Sequence, residues 1–151
     1  MTTGAAIERS PPRFFVRGDG RDGKRYSDEL VAIAKHFRNV YVHLCWAWSI
    51  DPFSSGEFVR GLLHAVPANK LFAFGGDTYW PQFAVAYALQ ARNGLTKALQ
   101  AEIDDGFLSE RQAIGLASLL MQKNQAAGFD LAGTRAAIRD AAGRGCSLAR
   151  S

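Results

Sequence analysis

The stretch LFAFGGDTYW, residues 71 to 80, holds the residues best placed to do chemistry in this chain. An apolar, strand-like run ends at Gly75 and Gly76, and Asp77 follows at once. In parallel α/β architectures, ligands and reacting groups collect at the carboxyl ends of strands, where loops converge on a rigid frame. An aspartate so placed can bind a divalent metal, take a proton from a metal-bound water, or do both. The glycines let the backbone turn tightly and leave room beside the carboxylate. Spacing alone leaves a second reading equally open, in which Asp77 caps a turn ahead of Pro81.

Metal chemistry would need further ligands, and the histidines are few: His36, His43 and His64. His36 lies near an expected helix end and His64 within a helix, so both read as surface or core-filling residues. His43 lies on a strand, but one histidine does not build a site of three or four ligands. Gly18-Asp19-Gly20-Arg21-Asp22-Gly23 fits the G-x-G-x-x-G dinucleotide pattern. Lys24 and Arg25, however, separate its last glycine from a helix expected to begin near Ser27, and the next strand has no acid at its end. This motif, like the Arg17-Gly18-Asp19 triplet that overlaps it, reads as a polar turn.

The elements that must position Asp77 follow from periodicity. Leu30, Val31, Ile33, Ala34 and Phe37 recur at helical spacing behind Ser27, which predicts a helix over 28–37. VYVHLCW predicts a strand over 40–46, apolar on both faces as in a parallel sheet covered on both sides. Ser54 and Glu57 are spaced as a capping box for a helix over 55–66, which Pro67 stops, and a second strand covers 71–76. Strand, helix and strand in under 40 residues make a right-handed βαβ unit. Pro81 opens a helix over 81–103 with a stripe of Ala84, Tyr87, Ala88, Ala91, Leu95 and Leu99. Ser109 and Gln112 form a second capping box, for a helix over 110–124.

The chain has 151 residues, 48% of them hydrophobic, enough for one domain and too few for two. Its formal charge of +4 belongs to the ends. Residues 1–25 carry six basic against three acidic side chains and residues 134–151 four against one, while the body between is slightly acidic. No aromatic-interleaved basic stripe points to nucleic acid. With Cys45 and Cys146 as the only cysteines, no apolar run of membrane-spanning length and no signal-peptide core, the expectation is a reduced, cytoplasmic protein without a membrane partner. Residues 1–26 are expected to be irregular, 27–131 to form the folded portion, and 132–151 a basic tail.

Within 27–131, the segment NVYVHLCWAWSIDPFSSGEFVRGLLHAVPANKLFAFGGDTYW, then an Ala-rich helix, LSERQAIGLASLLMQKN and Phe129, resembles the C-terminal third of the amidohydrolase-related family. The likeness rests on an N-V-Y strand, a V-P-A-N-K lead-in and a G-G-D strand end, in that order. It implies an α/β fold: a partial (β/α)8 TIM barrel made of the last two strands with their helices, plus a C-terminal helical segment. It implies that Asp77 matches the family's strand-eight aspartate, which contacts the metal, zinc or manganese, and handles the proton of the attacking water. Trp46, Trp48, Thr78 and Trp80, at or after the strand ends, would line the pocket for a small-molecule substrate or serve in the core.

The family's H-x-H pair is absent, and where its sixth strand should bring a histidine the chain reads RFFVRGDGRDGKR. The resemblance therefore implies a C-terminal fragment of a metal-dependent hydrolase, inactive alone. The competing expectation is a non-catalytic interaction module whose exposed strand edges pair with a second copy or another chain.

Overall fold

The structure is a computed structural model that describes residues 14–17 and 24–148, with side chains over 28–142. The Gly18 to Gly23 motif lies outside the described residues. Three strands form one small parallel sheet in the order β1-β2-β3: β1 (Phe14–Arg17), β2 (Val40–Cys45) and β3 (Leu71–Gly75). Helices make up most of the rest: α1 (Lys24–His36), α2 (Ala47–Ile50), α3 (Pro52–Ala65), α4 (Pro81–Asp104), α5 (Glu110–Ser118), α6 (Asn124–Gly128) and α7 (Leu131–Leu148). A five-residue π-helical stretch, Leu119–Lys123, joins α5 to α6. Among the described residues no helix is long and apolar enough to cross a membrane.

The expected partial barrel is not what this chain forms. The protein is mostly helical around a single small sheet, not a multi-stranded portion of a barrel. The physical reason lies at the edge strand β3. The Asn124 amide donates to the carbonyls of Ala68 and Leu71 at 2.7 Å, Gln125 donates to that of Phe74 at 3.0 Å, and the Trp48 indole to that of Ala73 at 2.7 Å. Side chains from helical segments, not a further strand, take the Leu71, Ala73 and Phe74 acceptors of β3, which satisfies an edge that would otherwise seek another strand.

The core sits between the sheet and α1, α3 and α4. Val40, Val42 and Leu44 of β2, Leu71 and Ala73 of β3, Leu30 and Ala34 of α1, Val59 and Leu62 of α3, and Leu95 and Leu99 of α4 are buried together. The other face of β2, Tyr41, His43 and Cys45, is only half-buried, so the expected burial on both faces is incomplete. It is served by Phe72, whose ring lies 6.0 Å from that of Tyr41 and 5.8 Å from that of Phe129.

Local chemistry sets the helix boundaries. Helix α3 begins at Pro52, with Asp51 rather than Ser54 as its cap: the Asp51 carboxylate accepts from the backbone N–H groups of Phe53 and Ser54 and from the Ser54 hydroxyl. Proline at the first helical position wins here, because its missing N–H and fixed φ suit that site. The Ser109 and Gln112 box of α5 forms as expected. Lys70, buried just before β3, donates to the carbonyls of Ala34 and Phe37 at the end of α1, at 2.8 Å in the second case, and so closes that helix. Burial pushes its ammonium below the ordinary lysine value.

Hydrogen bonds from Ser54, its hydroxyl and then its backbone N–H, hold the Asp51 carboxyl below its ordinary value of 3.8. A depressed carboxyl stabilises the fold above that ordinary value, and the contribution fades as pH falls through the folded-state value. Asp51→Ala is therefore expected to lower the melting temperature at neutral pH, with the gap to wild type closing below pH 3.8. Asp51→Asn, which keeps a capping oxygen, should show a smaller gap that closes over the same range, because the titrating group is the wild-type carboxyl. Thermal melts across an acid series check both.

Candidate functional site

The loop after β3 carries the sequence-selected residues. Gly75 is needed for close approach: a Cβ there would meet the Cβ and Sγ of Cys45 on β2 at 3.0 Å. Gly76 would meet Ala84 at an ordinary 3.5 Å and the Phe74 ring at 3.9 Å. The residue that turns the chain is Asp77 itself, at φ 36, in the left-handed region that aspartate tolerates better than most side chains. Asp77 is exposed and Thr78 half-buried, with its hydroxyl accepting from the Trp80 backbone N–H at 3.3 Å. Tyr79 and Trp80 project into solvent, 99% and 61% exposed.

Trp46 ends β2 in a left-handed conformation, φ 67, and its backbone N–H reaches the Gly75 carbonyl at 3.4 Å. Trp46 thus stands beside the β3 terminus, half-buried. Trp48 does not join this surface. It is 2% exposed, donates its indole N–H to the Ala73 carbonyl and lies against Gly94 of α4. Of the expected pocket residues, the structure places Asp77, Thr78, Trp80 and Trp46 at the carboxyl end of the sheet and Trp48 in the core.

The zinc or manganese implied by the resemblance needs several converging ligands. Among the described residues no three His, Cys, Asp or Glu side chains come together as a metal-binding group. The described residues around Asp77 therefore do not supply that set of ligands.

A polar constellation that the sequence reading did not single out lies elsewhere. Glu102, 1% exposed, accepts from Arg60 Nε at 2.5 Å and pairs with His64 Nε2 at 2.8 Å. Arg60 also contacts Asp105, and Phe107 meets the His64 ring edge-on, centroids 4.7 Å apart. The hydrogen bond to Glu102, foremost, raises the Arg60 guanidinium above its ordinary value. Leu63, His64, Ala68, Glu102, Phe107 and Leu116 border a cleft of about 230 Å³. Ala68 lies just before β3, so this cluster stands at the amino end of the sheet, away from Asp77. One signal was present in the sequence: Glu102 continues the Leu95 and Leu99 stripe, a carboxylate on a core-facing line.

The chain matches no protein-family model and no curated protein.

Proposed function

We propose that this protein is a non-catalytic interaction module that binds another protein surface through the carboxyl end of its sheet. One observation carries the reading: residues 78–91 contain no charged side chain, and Tyr79, Trp80, Phe83, Val85 and Leu89 in that run are exposed. A helix apolar on several sides is normally enclosed. Helix α4 overhangs its own sheet because 24 residues extend about 36 Å, whereas the five residues of β3 extend only about 17 Å. Enclosure of the overhanging half must come from outside the described fold. The β3 carbonyls already accept from side chains, which favours contact through this apolar surface over strand pairing at β3. We place the module in the cytoplasm on the ground of its two cysteines.

A second reading, a fragment of a metal-dependent amidohydrolase, is favoured by the position of Asp77 at the carboxyl end of a parallel strand. A working metal site in that case would draw its other ligands from a separate chain. One experiment separates the two. The purified protein, loaded with zinc or manganese and dialysed, is expected to retain no stoichiometric metal and to turn over no amide or ester substrate. Asp77→Asn, which keeps the left-handed turn accessible, is expected to behave as wild type. One-to-one metal with hydrolase turnover that Asp77→Asn abolishes would overturn the module and establish the enzyme.

A further inference from the structure

We infer that the surface formed by Tyr79, Trp80 and the overhanging half of α4 is covered by a second copy of this chain, an inference that rests on the interaction-module reading above. Three properties of the surface select this occupant. The first is shape. Ala84, Ala88 and Ala91 turn toward the fold, half-buried to buried, and two ridges flank that line: Phe83 with Tyr87, rings stacked at 6.3 Å, and Val85 with Leu89. A projecting helix half with ridges on both flanks is matched by another of its kind laid antiparallel on a twofold axis, where each ridge meets the partner's flank.

The second property is charge. No acid or base lies between Asp77 and Arg92, so the surface offers a foreign partner no charged group by which to be selected. Twofold pairing requires none, because the surface is its own complement. The net positive charge of the chain resides mostly in its ends, and the run 78–91 itself opposes nothing to a second copy.

The third is area. At about 150 to 250 Å² for each of the three aromatic side chains, and less for Val85 and Leu89, the exposed parts of the five side chains amount to roughly 500 Å² per copy. That stands at the upper end of what monomers leave uncovered. Two copies together would remove about 1,000 Å², the lower limit of a specific interface. The expected dimer is accordingly reversible and concentration-dependent.

The test is sedimentation equilibrium on the full chain from low micromolar to near-millimolar concentration, with wild type, Val85→Lys and Leu89→Lys compared, each checked by circular dichroism. Both positions are exposed, so the substitutions should leave the fold and its melting intact. The wild-type mass is expected to rise from 16.5 kDa toward twice that value, and each substitution to weaken association by at least about thirty-fold. Binding of an apolar fluorescent dye to dilute protein is measured in parallel. A wild type that stays monomeric throughout, with dye binding that both substitutions reduce, overturns the second copy but leaves the apolar interaction surface standing. A monomer whose dye binding is indifferent to both substitutions overturns the two readings together. A dimer that survives both substitutions overturns this surface as its interface.

Discussion

Arg60→Met is expected to destabilise the protein more than Glu102→Leu, although both break the same ion pair. The asymmetry comes from burial. In Arg60→Met the Glu102 carboxylate stays sealed in the core with His64 as its remaining side-chain partner. A buried carboxylate stripped of a partner costs about 3 to 5 kcal/mol. In Glu102→Leu, the groups left over are Arg60 and His64, whose side chains are partly exposed and able to turn to water; Arg60 also keeps Asp105 and Glu57. A leucine there extends the stripe of Leu95 and Leu99. The double variant Arg60→Met with Glu102→Leu should recover most of the loss, because an apolar pair of similar volume replaces the ionic one. Urea unfolding of the three variants forms the cycle. If Glu102→Leu proves the worst of them, the network is not organised around a buried carboxylate.

The second large effect reverses an ordinary rule. Gly94 lies inside α4, where alanine is favoured over glycine by about 1 kcal/mol. Here, however, a Cβ would fall 2.3 Å from one ring carbon of Trp48 and 2.4 Å from another. Trp48 cannot swing away cheaply, since it is buried and its indole N–H is committed to the Ala73 carbonyl. Overpacking of this kind costs about 1 to 3 kcal/mol and more when the ring is pinned. Gly94→Ala is therefore expected to be destabilising by about 2 kcal/mol net. Gly61→Ala in α3 is the control: a Cβ there meets nothing within 4 Å, so the same substitution should stabilise by about 0.5 to 1 kcal/mol. Opposite signs in parallel melts support the contact; equal signs would show that Trp48 does not hold Gly94 to its size.

The same contact decides between the two roles open to Trp48, pocket and core, in favour of the core. Its position soon after a strand suggests a site loop, but the chain forms a short helix at once, Ala47–Ile50, and drives the indole inward beneath α4. Trp80, read from the same kind of evidence of position, does project outward. Sequence distance from a strand end does not say which way a ring points. Nor does it say how far a neighbouring helix extends over the sheet. The stripe from Ala84 to Leu99 was legible as one continuous face, yet only Ala91 onward is fully buried, because the strands beneath are too short to cover the first three turns.

What the amino-acid sequence determined by itself is local. Strand spans at 40 and 71, the long helix opened by Pro81, the Ser109 capping box and the parallel βαβ unit all follow from short-range periodicity and terminal chemistry, and the structure has them. β1 escaped because four residues, FFVR, are too few to display a period. Tertiary structure alone decided the rest, since each feature joins residues far apart in the chain. Asn124 and Gln125 satisfy β3 from some fifty positions away and so end the sheet where a barrel would continue. Glu102 meets Arg60 across 42 positions at a pairing that neither helix announces. Asp77 stands exposed on a left-handed turn beside the exposed Tyr79 and Trp80, a placement that only the tertiary structure gives.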